Sequence, residues 1–384
     1  MIYRQYGKLS VSVLGLELMG LEALARGAGK GLGADVGADG YLGADRGADE
    51  YLSAVSRGLE LGVNYFDLGF PCFRNAPEKM AACYGALLKD SGVVTALRVN
   101  ILDVGSPDEA EAYARGALGR YGLSHTVLLQ LWDLNRTTWV KAVETGILAR
   151  LKDMVRGGFA DGLTFHFMDD RFYLKPVLDS GDFDGMALEY SLMDVERNAG
   201  SLKTADDFGM GVIAHGVLKE GRLAGDSSEI WATCPERSPE SWALAIALDK
   251  QAVACALVEA FSARQVEEYA RCTELADSEK AGVQGLLLAK RVKDHYHSKR
   301  SIQCELCRCC MPCPIDVNAP RIAELVNEVL MYGDAEVPAV RYTLEKLDGR
   351  RCARCMKCVK ACPREFELPD IISEAARLFE RWGE

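Results

Sequence analysis

The sequence predicts an α/β protein: a (β/α)8 TIM barrel followed by a small α-helical domain built on cysteines. Two observations carry this. Eight apolar, β-rich runs alternate with helical patterns over roughly the first 270 residues, the rhythm of a parallel barrel wrapped by helices. Two cysteine runs then fill the last third of the chain, Cys304-x2-Cys307-x2-Cys310-x2-Cys313-Pro314 and Cys352-x2-Cys355-x2-Cys358-x3-Cys362-Pro363.

The predicted strands are Val11–Leu16, Val63–Leu68, Val94–Ile101, Thr126–Leu134, Leu163–Phe167, Met186–Met193, Gly211–His215 and Val253–Ala260. Each is a short run rich in Val, Leu, Ile, Thr or aromatic residues, as strands buried on both faces require. Between them lie helical stretches at Tyr51–Leu61, Glu78–Lys89, Pro107–Arg120, Trp139–Arg156 and Pro239–Asp249. A further helical stretch, Asp277–Tyr296, leads out of the barrel. The domains are expected at 1–275 and 276–384. A Gly/Asp-rich insertion at 27–50 contains a tandem Gly-Ala-Asp-x-Gly-Ala-Asp-x-Tyr-Leu repeat that runs on to Leu52. It falls after the first strand, at the end of a barrel where sites form. A lid or docking loop is one reading; a Gly-rich insertion without a role is the plainer one.

The cysteine spacing points to two [4Fe–4S] clusters. A cubane takes four thiolates, two-residue spacers let three of them wrap one cube, and the Cys before Pro reaches the other. This assigns Cys304, Cys307, Cys310 and Cys362 to the first cluster, and Cys313, Cys352, Cys355 and Cys358 to the second. Cys309 is an extra thiol that could replace Cys310. Zinc sites rarely end in Cys-Pro, and disulfides need an oxidising compartment. No apolar N-terminal signal segment precedes the first strand, so the expected location is cytoplasmic.

The chain has 384 residues, 49% of them hydrophobic and 26% charged, with a net charge of −11. That balance fits a globular protein and argues against nucleic acid as a partner. No apolar run reaches membrane-spanning length. Between Lys299 and Arg364, however, 12 Lys and Arg face 8 Asp and Glu. Arg350, Arg351, Arg354, Lys357, Lys360 and Arg364 crowd the second cysteine run. These cations would offset cluster charge, or steer an acidic electron carrier toward it.

Several segments resemble the aldo-keto reductase family: Tyr3-Arg4-Gln5-Tyr6-Gly7-Lys8, Gly62-Val63-Asn64-Tyr65-Phe66-Asp67, Gly209-Met210-Gly211-Val212-Ile213-Ala214 and Gln265-Val266-Glu267-Glu268. One branch of that family carries a C-terminal ferredoxin-like iron–sulfur domain with similar cysteine spacing. The resemblance implies hydride transfer by an Asp–Tyr–Lys–His tetrad at the barrel mouth. Here only Asp67 matches; Cys72 stands at the Tyr position, Arg98 at the Lys and Trp132 at the His. Arg98 cannot shuttle protons at ordinary pH but can pair with Asp67. Trp132 has no acid–base function. Cys72 is either a proton donor tuned by Arg98 or an inert thiol.

The nicotinamide positions implied by the resemblance are altered too. Glu189 stands where a Gln is expected, Gly216 lies in a run that lacks the usual Lys, and Glu259 would repel a phosphate. These substitutions argue against NADP(H). His166 reads as a wall residue between Phe165 and Phe167, and neither it nor Asp169, Asp170 or His215 is assigned a metal.

The expected function is therefore that of an iron–sulfur oxidoreductase passing single electrons, as a subunit of, or donor to, a larger anaerobic redox system. Two alternatives stay open at this point: an active NAD(P)H-dependent reductase with coupled clusters, and a docking scaffold that the clusters only staple.

Overall fold

The computed structural model describes residues 1–18, 20, 46–70, 78–89, 91–223, 230–304, 309–311 and 313–383. The repeat at 33–52 lies mostly outside them, as do Cys72 and Cys307.

The chain opens with an antiparallel hairpin, β1 (Tyr3–Tyr6) and β2 (Leu9–Ser12). Eight parallel strands then close a barrel: β3 (Leu14–Glu17), β4 (Tyr65–Asp67), β5 (Val94–Asn100), β6 (Thr126–Leu134), β7 (Ala160–Phe167), β8 (Gly185–Glu189), β9 (Val212–His215) and β10 (Val253–Val258), with β10 pairing back onto β3. The expected first strand, Val11–Leu16, is thus divided between hairpin and barrel.

The hairpin plugs the N-terminal end of the barrel. Arg4 donates through Nη1 to the carbonyls of Leu248 and Val253, and the Tyr6 hydroxyl donates to the carbonyl of Met186. Gly185 makes room for the Tyr6 ring: a Cβ there would lie 2.4 Å from ring carbon Cζ.

The helices around the barrel are α1 (Arg46–Glu60), α2 (Glu78–Leu88), α3 (Pro107–Arg120), α4 (Arg136–Glu144), α5 (Ile147–Arg156), α6 (Leu174–Asp179), α7 (Val195–Asp207), α8 (Pro239–Leu248) and α9 (Ala263–Ser278). The single helix expected at Trp139–Arg156 is two. Gly146 between them sits at φ 79°, the left-handed region that breaks a helix and that glycine enters without steric cost.

Beyond the barrel come α10 (Gly282–His297), α11 (Ala319–Tyr332), α12 (Glu336–Leu344), α13 (Lys357–Ala361) and α14 (Leu368–Gly383). Helices α11, α12 and α14 share a small core of their own, including Ile322, Leu325, Ala339, Ile372 and Phe379. Met331, Val337 and Val340 instead join the barrel's core, so this helical region is packed onto the barrel. Among the described residues, no helix is long and apolar enough to cross a membrane.

Candidate functional site at the barrel mouth

The C-terminal ends of the strands open into a pocket roofed by α11 and α12. Its floor and walls come from Glu17, Phe70, Arg98, Trp132, His166 and His215, among others, and its roof from Arg321, Glu324, Arg341, Leu344 and Glu345.

Arg98 lies at the floor, 1% exposed. Its Nη1 is 2.8 Å from Glu17 Oε1 and its Nε is 2.9 Å from Asp67 Oδ1. Its guanidinium carbon also lies 3.8 Å from the centre of the Trp132 ring and 4.6 Å from that of Phe70. Burial pushes both carboxyls above the usual range, with Arg98 opposing. Against its own burial, Asp67 and Glu17 push the guanidinium up. One cation thus serves two buried acids. Nη2 of Arg98 and Oδ2 of Asp67 have no hydrogen-bond partner among the described residues.

Strand β6 carries a register shift against β7 between Leu131 and Leu134, so that one extra residue occupies this stretch. Such bulges re-aim side chains and gather near active sites. Here two successive residues, Trp132 and Asp133, both reach the pocket. Asp133 is at φ 67°, rare for a residue other than glycine. Its Oδ1 lies 3.2 Å from His166 Nδ1. His166 Nε2 lies 2.8 Å from His215 Nε2, and the His166 ring stacks on Trp132 at 4.0 Å. Burial, then His166, push His215 well below the ordinary imidazole range, with Arg98 and Arg341 adding to this and Glu189 opposing it.

Of the residues expected from the resemblance at nicotinamide positions, Glu189 accepts from Lys219 Nζ at 2.8 Å and lies 3.6 Å from Arg341 Nη2. These cations outweigh its burial and hold it well below the usual carboxylate range. Gly216 adopts φ 63° beside Glu189, where a side chain would be strained. Glu259 lies on the pocket wall, close to Glu17: the carboxyl carbons of both lie within 2.8 Å of where a Cβ on Gly20 would stand.

The roof is held by a buried lattice of charge that sequence reasoning did not identify. Arg341 pairs with Glu220 at 2.6 Å and Glu328 at 3.5 Å, and Arg222 pairs with Glu220 at 2.7 Å and Glu328 at 3.1 Å. Arg321 pairs with Glu345 at 2.6 Å and Glu324 at 2.7 Å. Lys219 also pairs with Asp194 at 2.6 Å. In sequence these residues look like ordinary surface charges, four of them on helices and the rest in the connecting loops.

The predicted cluster ligands are only partly brought together. Cys313, Cys352, Cys355 and Cys358, the second set, line one cavity under α14, and Cys310 lies on the same wall. The intervening loop coils tightly, with Arg354 and Met356 at φ 51° and 61°. The backbone N–H groups of Cys358 and Val359 point at the Cys358 sulfur. Four thiols sharing one cavity are the donor set that a cubane would take. Among the described residues no three ligand side chains converge on a single metal ion; a cubane spreads its thiolates over its corners and needs no such point. Of the first set, Cys304 lies on the wall of a different cavity, beside Arg300 and His297, and Cys362 lines neither of these two cavities.

No family model matches the chain, and no curated protein matches it. Among solved structures, the chain is similar to the aldo-keto reductase AKR11C1 from Bacillus halodurans. The holo form aligns with a TM-score of 0.56 at 17% identity, over 76% of this chain and 96% of that one. The apo form aligns with a TM-score of 0.55 at 18% identity, over 76% and 95%. At this identity the likeness is one of fold.

Proposed function

We infer that this chain is an iron–sulfur oxidoreductase on an aldo-keto-reductase-like barrel that does not use NADP(H). The observation that carries the reading is the cavity shared by Cys313, Cys352, Cys355 and Cys358. When bound there, a [4Fe–4S] cluster would supply one-electron chemistry. The first cluster, on Cys304, Cys307, Cys310 and Cys362, rests on the repeated spacing in the sequence.

The barrel supports the same reading from the other side. Arg98 is committed to Glu17 and Asp67, and Trp132 to Arg98 and His166, so neither position offers an acid for hydride chemistry. Glu189 is engaged by Lys219 and Arg341, and α11 and α12 cover the mouth with carboxyl groups. Eight carboxyl side chains and four guanidiniums line the pocket, an excess that disfavours a polyanionic dinucleotide.

Around the second set, Arg350, Arg351, Arg354, Lys357, Lys360 and Arg364 are all exposed, as is Cys355. This basic surface suits docking by an acidic electron carrier or by a subunit of a larger redox complex.

The test is anaerobic purification followed by iron analysis and paramagnetic resonance. About eight irons per chain and a reducible cubane signal are expected. Folded, iron-free protein would overturn the cluster assignment. Carbonyl reduction with NADPH at ordinary enzymatic rates would overturn the exclusion of the dinucleotide.

A further inference from the structure

We propose that the barrel mouth is a proton-transfer site in its own right: His215 removes a proton from the carbon next to the carbonyl of a small neutral oxo compound, and Arg98 binds the oxygen that becomes the enolate. This activity needs neither an electron nor a dinucleotide, so it stands apart from the iron–sulfur reading.

Two independent observations carry it. The first is the chain Asp133–His166–His215. The Asp133 carboxylate lies 3.2 Å from His166 Nδ1, closer than the Asp133 backbone N–H at 3.4 Å. The backbone N–H is directed at Nδ1 as a donor, but a carboxylate is the stronger, charge-assisted partner, so the His166 hydrogen is placed on Nδ1, which leaves its Nε2 an acceptor. His215 Nε2, 2.8 Å away, must then donate. Its remaining nitrogen, Nδ1, carries a lone pair and is the base. The second observation is at Arg98, whose Nη2 is a buried donor without a partner among the described residues. Both groups lie against Trp132, Arg98 at 3.8 Å and the His215 ring at 5.2 Å from the centre of its ring, and both line the same pocket.

The step balances without a co-reactant. The C–H bond breaks, its proton goes to His215 Nδ1, and its electron pair moves into the C=O group. The resulting enolate oxygen accepts a hydrogen bond from Arg98, as preorganised donors do for developing oxyanions. His215 passes its Nε2 hydrogen to His166, and the positive charge rests beside Asp133. Reversal returns a proton to carbon. His215 is the catalytic base; His166 and Asp133 act through it as positioning residues.

The groups facing His215 are His166, Glu189, Arg98 and, from α12, Arg341. Burial, then His166, Arg98 and Arg341, outweigh the opposing Glu189 and keep the imidazole neutral, so the base form persists at mildly acidic pH. The carboxyl excess around the pocket, eight against four guanidiniums, favours a neutral substrate over a carboxylate or phosphate.

The experiment follows deuterium uptake at the methylene carbon of hydroxyacetone in D2O, by proton NMR, with the full-length protein kept anaerobic. Saturable exchange above the buffer rate is expected, with a rate that stays level as pH falls below about 6.5, the unperturbed imidazole value. His215→Ala should lose on the order of 10²-fold, the usual size of a general-base contribution, and recover part of it with added imidazole. Asp133→Asn should move the lower limb of the pH profile while the unfolding midpoint confirms a folded protein. No exchange above buffer with folded wild type would overturn the proposal. So would equal exchange in His215→Ala, or a His215→Ala loss that imidazole cannot rescue together with an unmoved profile in Asp133→Asn.

Discussion

Arg341 Nη2 lies 2.6 Å from Glu220 Oε1, and this contact joins the helical region to the barrel. Glu220 follows β9 at φ 52°, and Arg341 projects from α12. Both are largely buried, at 6% and 8% side-chain exposure, so the pair is shielded from solvent. The pair closes the mouth with charge taken out of water, where losing one partner is costly.

Arg341→Leu should therefore destabilise the protein by about 3–5 kcal/mol, because Glu220 and Glu328 lose a buried counter-ion. Adding Glu220→Gln should restore part of the loss. Urea unfolding of the single and double variants checks this; additive losses would show that the two residues do not act as a pair.

Arg98→Met should cost about the same, roughly 3–5 kcal/mol at neutral pH, since Glu17 and Asp67 would face each other without a cation. Burial pushes both carboxyls above the ordinary range even with Arg98 present. Groups raised in this way favour folding most where they are protonated, and lose that contribution as pH rises from the unfolded value near 4 through the folded one. The variant should consequently lie closer to wild type at pH 4 than at pH 7 in denaturant titrations.

His215 has the opposite linkage. Its folded value is depressed, so the neutral form is the one the fold accommodates. Its contribution is fully present above the unfolded value of about 6.5 and is lost as pH falls below it. Replacing it with Gln should flatten the part of the stability loss that sets in between pH 6.5 and 5. Unfolding free energies measured across that window read the difference in slope directly.

Gly185→Ala should lower stability by about 1–3 kcal/mol through overpacking at the closed end of the barrel. The new methyl would lie 2.4 Å from Tyr6 Cζ, and the Tyr6 hydroxyl is anchored to the Met186 carbonyl. Adding Tyr6→Leu should relieve part of the clash, as a thermal-melt comparison would show.

Cys352→Ser should remove about half of the iron from anaerobically prepared protein, because a cubane needs all four thiolates of its set. Iron per chain and the loss of one of two paramagnetic signals measure it. An unchanged iron content would place the cluster elsewhere.

The sequence by itself determined the barrel and the two cysteine runs, since both are written in local order. Strand–helix alternation is a matter of neighbouring residues, and a cysteine spacing such as Cys352–Cys358 lies within one short stretch. The family resemblance, and not local pattern, singled out Asp67, Arg98 and Trp132; in the structure Arg98 and Trp132 line the pocket and Asp67 pairs with Arg98. Local pattern failed where one residue set the backbone: Gly146 split a helix that reads as continuous, and the bulge at Trp132 and Asp133 turned two successive side chains to one pocket. What only the tertiary structure decided was partnership. Asp133, His166 and His215 lie on three strands, and Glu220 meets Arg341 across 121 residues of chain. A charge on a helix looks the same in sequence whether it faces water or a buried partner. Its energy is set by the medium around it and by the distance to the opposite charge, and both exist only once the barrel has closed and the helices have come down on its mouth.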